Sequence, residues 1–205
     1  MCAGPNALVL FLGASYLQGV YLLRIYVVDA VAVTFGRFQG GRSILLPSGD
    51  YLYIGSALGQ RGATCLAGRL LRHATRCGDS PPQIIRTALL AQLQNAGMIE
   101  DNPYWSRSKR CFWHIDYLLD QPTATLTQII ALRTSQRWEA ALARYLMAEP
   151  VTSIIAPGLG ASDDRRATHL LRVDAPASWW DRLPSKIELF ISPSLHSVTT
   201  KSDCH

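Results

Sequence analysis

The sequence predicts an α/β chain of the segregated α+β kind, with a small central antiparallel or mixed β-sheet flanked by helices. Three observations lead there. Strand-type runs come first and helix-type runs follow, with the change of period at Gly55. The 205 residues are 48% hydrophobic and 17% charged, too apolar and too weakly charged for disorder. The length suits one core that buries roughly 70% of the unfolded surface, so disulfides and structural metals are not needed for stability.

Residues 7–17 are apolar but fall short of the ~20 residues of a membrane span, and they read as a buried leader into the first strand. Residues 19–27 and 31–35 are β-branched and aromatic runs separated by Val28-Asp29-Ala30, which suits a hairpin opening an antiparallel sheet. A glycine-rich connection follows over 36–41. Pro47-Ser48-Gly49 signals a turn, and the alternation of Tyr51, Leu52, Tyr53 and Ile54 suits a third strand over 50–54.

From about residue 62 to 76 the apolar residues Leu66, Ala67, Leu70, Leu71 and Ala74 cluster on one side of a helix. Arg69, Arg72, His73 and Arg76 project onto the opposite arc. Ser80-Pro81 reads as an N-cap with Pro at the first helical position, predicting a second helix that runs to Gly97. Residues 101–110 read as a loop, 112–119 and 125–132 as strands, 136–148 as a helix, and 169–173 as a last short strand. One domain over 1–175 is expected, with an insertion at about 77–110, a C-terminal appendage over 176–190 and a disordered tail over 191–205.

The net charge of +5 is local. Arg37, Arg42, Arg61, Arg69, Arg72 and Arg76 face only Asp50 within their stretch, and the rest of the chain balances 14 basic against 14 acidic residues. Of the 20 basic residues 17 are Arg, whose planar fork pairs bidentately with phosphate. The stretch reads as an anion-binding face or as a solvated helix flank.

Cys2, Cys65, Cys77, Cys111 and Cys204 are an odd, scattered set without an export signal, which fits a reducing cytoplasm. His73-x3-Cys77 and Cys111-x2-His114 have the spacings of a Cys2His2 zinc site. A long insertion separates the pairs and His73 lies on the basic side of its helix, so zinc is disfavoured. Gly55-Ser56-Ala57-Leu58-Gly59 lacks the Lys-Ser/Thr of a phosphate loop, and Gly158-Leu159-Gly160 follows no dinucleotide-type βα unit.

Several segments form an ordered set. They are Gly19-Val20-Tyr21, Gly49-Asp50-Tyr51-Leu52-Tyr53-Ile54-Gly55-Ser56-Ala57-Leu58-Gly59, Arg69-Leu70-Leu71-Arg72-His73 and Trp113-His114-Ile115-Asp116-Tyr117-Leu118-Leu119. Glu139 with its Leu/Ala helix, Pro157-Gly158-Leu159-Gly160-Ala161-Ser162-Asp163 and His169-Leu170 complete it. The set resembles the GIY-YIG nuclease superfamily. It is closest to the prokaryotic GIY-YIG-related domain of unknown function found alone or fused to endonuclease-III-type glycosylases. The resemblance spans about residues 19–173.

That resemblance implies a GIY-YIG-like fold and phosphodiester hydrolysis with one Mg2+ or Mn2+. Tyr21 and Tyr53 would face the scissile phosphate, one of them helping to deprotonate the attacking water. Arg69 would neutralise charge developing on the phosphate, and Glu139 would bind the metal. His73 would be a second proton-transfer or phosphate-contacting group. Arg61, Arg72, Arg76 and Ser56 would meet nucleic acid, with Gly55, His114, Asp116 and Asp163 in support. From the residues alone, Tyr21 and Tyr53 read equally as core residues of strands. His114 and Asp116 alternate on an expected strand, as a pair supporting the site or a structural pair at a sheet end.

The implied function is a metal-dependent endonuclease of DNA repair or processing, with nucleic acid as partner, DNA ahead of RNA, and no membrane. The alternative is a non-catalytic nucleic-acid-binding module, or an interaction module for a repair enzyme, on the same fold.

Overall fold

A computed structural model describes residues 7–99, 109–160 and 168–196. The strands are β1 (Val9–Gly13), β2 (Gly19–Val27), β3 (Val31–Thr34), β4 (Ser43–Leu46), β5 (Gly49–Ala57), β6 (Ala124–Arg133), β7 (Thr152–Ile154) and β8 (Leu170–Val173). The helices are α1 (Leu66–His73), α2 (Arg86–Asn95), α3 (His114–Leu119), α4 (Glu139–Met147) and α5 (Ala177–His196). Six strands form one mixed sheet in the order β1-β6-β2-β5-β8-β7, and β3 pairs with β4 in a separate ribbon. Only β1 and β6 run parallel. The fold is α+β, as the sequence predicts.

Strict alternation along β2 and β5 divides the interior into two layers. Tyr21, Leu23, Ile25, Tyr51, Tyr53 and Ala57 face a core closed by α1, α2 and α3. Val20, Leu22, Leu52 and Ile54 face a second core closed by Leu142 and Leu146 of α4 and by Trp179, Trp180, Leu183 and Ile187 of α5. Both layers are needed because β2 and β5 lie inside the sheet and bury both of their faces.

Several expectations are corrected. The 19–27 and 31–35 runs do not form a hairpin: β2 has β5 on one edge and β6 on the other, so no edge is free for β3. Residues 7–17 are more than a leader, since β1 is itself an edge strand on β6. The third strand runs to Ala57, longer than 50–54. The second helix begins at Arg86, not at Ser80-Pro81. Pro82 disfavours helical geometry at Pro81, and Gln83 anchors the extended approach by donating to Leu119 O at 2.9 Å and accepting from Leu126 N–H at 2.9 Å.

Residues 112–119 are not a strand; α3 fills most of them. Ile115, Leu118 and Leu119 are its buried apolar residues, a helical spacing, and the Asp116 carboxylate, also buried, caps the first turn by accepting the Trp113 N–H at 3.2 Å. Residues 176–190 belong to α5, which supplies much of the second core, and α5 continues through 196, into the stretch expected to be a tail. The predicted 101–110 loop falls mostly outside the described residues.

Candidate active site

The site is built where β2 and β5 run side by side. Tyr21 pairs with Gly55 across the ladder. A Cβ at Gly55 would lie 2.5 Å from Cζ and Oη of Tyr21, so the tyrosine ring lies across bare backbone at that point. Close approach, rather than a turn, explains the glycine. Tyr53, two residues earlier on the same face, sets its ring 6.3 Å from that of Tyr21 and 6.2 Å from the His73 imidazole.

Tyr21, His73 and Asp116 form a buried line. The Tyr21 hydroxyl is 2.8 Å from His73 Nε2, and His73 Nδ1 lies 3.4 Å from Asp116 Oδ1, an electrostatic contact and not a well-angled hydrogen bond. Asp116 is fully enclosed and gathers further partners: Arg72 Nη2 at 2.9 Å, Lys109 Nζ at 3.1 Å and the Phe112 N–H at 3.0 Å. Burial works against its charge, but His73, Lys109 and the Phe112 N–H outweigh that and hold the carboxyl well below its ordinary range. Burial lowers His73 to about 4 despite Asp116 beside it. Burial raises both Tyr21 and Tyr53; the Glu139 charge adds to the rise and Arg69 opposes it.

At neutral pH the line therefore holds a phenol, a neutral imidazole and a carboxylate. The carboxylate favours the imidazole proton on Nδ1, which leaves Nε2 to accept the Tyr21 O–H.

Arg69 flanks this line. Its guanidinium stacks 3.8 Å above the Trp113 ring, its Nε donates to Ala63 O at 3.0 Å and its Nη1 to Ser56 O at 3.4 Å. Ser56, the next residue after Gly55, points to the other face of the sheet. Its hydroxyl donates to Oε2 of Glu139 at the start of α4. His169 Nδ1 lies 3.0 Å from Glu139 Oε1, yet neither buried ring nitrogen of His169 makes a well-angled hydrogen bond among the described residues. Glu139 thus reaches the strands from the α4 side, near enough for its charge to act on both tyrosines.

The structure brings Tyr21, Tyr53, Arg69, His73 and Glu139 together, with Gly55 and Ser56 between them. It redistributes the others. His73 is fully buried, so the predicted basic arc does not face water as a set. Arg72 is held by Asp116 and by the Arg110 carbonyl, and Arg76 Nη2 donates to Ala124 O at 2.9 Å. Arg61 is exposed. His114 and Asp116 do not share a strand face: on α3 they diverge, and His114 Nδ1 instead accepts the Gly160 N–H at 3.2 Å. Asp163 lies outside the described residues.

Trp113, Lys109 and His169 were not among the predicted site residues. Trp113 and His169 carry a sequence signal, because each stands within a motif segment. Lys109 carries none.

Fold and site together define an α+β protein with a hydroxyl–imidazole–carboxylate line that runs from the central strand β2 through α1 to α3. The chain belongs to the family Domain of unknown function DUF123, whose model matches residues 20–191. No curated protein and no solved structure matches it. No helix among the described residues is long and apolar enough to cross a membrane.

Proposed function

We propose that the protein is a GIY-YIG-type endonuclease that hydrolyses phosphodiester bonds of nucleic acid, DNA ahead of RNA, in a repair or processing role in the cytoplasm. The observation that carries this reading is the Tyr21–His73–Asp116 line with Arg69 and Glu139 flanking it. A phenol with a raised pKa is a poor base by itself. Coupled to a neutral imidazole, it can take a proton from an attacking water while passing its own proton to His73 Nε2. Asp116 then stabilises the imidazolium, as the carboxylate does in hydroxyl–histidine–carboxylate triads. Arg69 offers a fixed guanidinium to the phosphate.

The donor set fits Mg2+ or Mn2+ at Glu139. A carboxylate with the Ser56 hydroxyl beside it is an oxygen site, and Mg2+ is commonly held by one or two carboxylates, with water and phosphate completing its shell. Such an ion would supply charge stabilisation for the leaving oxygen. The Arg61, Arg37 and Arg42 side chains, all exposed, are free to meet the nucleic-acid backbone.

The test is cleavage of branched, nicked and single-stranded DNAs and RNAs with Mg2+ or Mn2+, comparing wild type with Glu139→Gln, Tyr21→Phe and Tyr53→Phe. Cleavage by wild type and its loss in Glu139→Gln and Tyr21→Phe is the expected result. Binding without any cleavage would favour the non-catalytic reading. Cleavage that survives both substitutions would move the site elsewhere.

A further inference from the structure

The chain leaves the region of α1 at Cys77 and re-enters that of α3 at Cys111, so the two cysteines stand at the two ends of the 77–110 insertion. They meet in space. Their sulfurs are 3.1 Å apart, and Cys77 forms an isolated parallel bridge with Lys109 beside them. Asp120, directly after α3, completes the group. Its Oδ1 accepts the Cys77 N–H at 2.6 Å, and ligand atoms of Cys77, Cys111 and Asp120 all lie within 4.8 Å of one another.

We propose that Cys77, Cys111 and Asp120 bind a thiophilic divalent cation of the Zn2+ type that clamps the neck of the insertion, with one coordination position left to water. The donor set separates this site from Glu139. Two thiolates and a carboxylate suit Zn2+, whereas Mg2+ and Mn2+ prefer oxygen alone. Two thiolates on one tetrahedral zinc stand ~3.8 Å apart at bond lengths of ~2.3 Å, and a disulfide closes to ~2.05 Å. The observed separation lies between these, so side-chain rotation reaches either. Asp120 favours the metal: its Oδ1 accepts the Cys77 N–H, which fixes the carboxylate beside the two sulfurs as a third donor that a cation uses and a disulfide does not.

A surface cleft lined by Arg72, Arg110, Cys111, Phe112 and Trp113 gives access to the sulfur. The histidines whose spacing suggested a Cys2His2 set are engaged elsewhere, His73 with Tyr21 and His114 with Gly160.

The experiment uses the full chain, reduced, stripped by chelator, with Cys2→Ser and Cys204→Ser as the common background. Zn2+ uptake is read by competition with a chromophoric chelator and by native mass spectrometry. One Zn2+ per chain is expected. Cys77→Ser and Cys111→Ser should each weaken binding at least ~100-fold, beyond the usual loss for outer-sphere partners, while Cys65→Ser leaves it unchanged. Because a serine variant could fail to fold, the background protein is also alkylated with and without Zn2+. Protection of Cys77 and Cys111, but not of Cys65, supports the site. No uptake, uptake indifferent to Cys77→Ser and Cys111→Ser, or conversion to an intramolecular disulfide with no Zn2+ retained would each overturn it.

Discussion

The two faces of the β2–β5 pair treat polar groups in opposite ways. On the α1–α3 face, Asp116 is fully enclosed and draws in His73, Lys109, Arg72 and two backbone N–H groups. On the α4 face, the Glu139 side chain keeps 28% of its exposure and, among the described residues, meets only Ser56 and His169. Buried nitrogens without a well-angled hydrogen bond occur on both faces, Nδ1 of His73 on one and both ring nitrogens of His169 on the other. A buried charge that is richly partnered must be made during folding, so its loss unfolds. A half-open carboxylate with few partners has capacity to spare for a ligand, so its loss should disable the protein without unfolding it.

The strongest way to break this contrast is Asp116→Ala. It strands Lys109 in the interior and unpairs the partly exposed Arg72, and should cost about 3–5 kcal/mol, the range for removing one partner of a buried ion pair. Chemical denaturation measures it, and a loss below ~1 kcal/mol would show that the cluster is solvated in solution.

Next in size is a pH effect. His73 sits at about 4 in the folded chain against 6.5 for the free side chain, so the unfolded chain binds this proton first. Stability should therefore fall as pH drops from 6.5 towards 4, by up to ~1.4 kcal/mol per unit. The depressed Asp116 carboxyl adds its own acid sensitivity from the ordinary carboxylate range downward, where the His73 window ends. His73→Gln should flatten the slope between pH 4 and 6.5, read from denaturation midpoints across that range.

Gly55→Ala ranks third. The new methyl meets the Tyr21 ring at 2.5 Å in a packed core, and overpacking of this kind costs about 1–3 kcal/mol. It should also pull the phenol off His73, so Tyr21 fluorescence and stability should change together. A neutral substitution would mean that the ring does not lie across Gly55.

These effects separate what the sequence could reveal from what it could not. The strand character around Tyr21 and Tyr53 was legible because residues of period two reflect one local geometry, and so was the apolar stripe Leu66, Ala67, Leu70, Leu71 and Ala74. The burial of His73 was not, because it depends on Tyr21, 52 positions away in the chain, and Asp116 arriving together. A helical projection places His73 with Arg69 and Arg72 but says nothing about what packs over that side.

α3 was misread because Phe112, Trp113, Ile115 and Tyr117 favour strands, and only the spacing of Ile115, Leu118 and Leu119 betrays the helix. α5 is hard to see in the sequence because Pro184 interrupts its pattern, although Trp180, Leu183 and Ile187 keep a helical period. In the candidate site, residue types announced themselves, but which face of the sheet each occupies did not.

Glu139→Gln should have the smallest effect on stability and the most informative one on function. The side chain is partly exposed, its contacts are with Ser56 and His169, and the amide keeps shape and hydrogen-bonding ability. Stability should change by no more than ~0.5 kcal/mol, the usual range for surface positions. The negative charge disappears, however, and with it one contribution, secondary to burial, to the rise of Tyr21 and Tyr53. Both phenols should then titrate at lower pH than in wild type, which ultraviolet difference titration can follow. If Glu139→Gln lowers stability as much as Asp116→Ala, the α4 face is as closed as the α1–α3 face and has no vacancy for a ligand. If it folds like wild type and loses both cleavage and Mn2+ affinity, Glu139 is the group through which the open face supplies the metal to the chemistry.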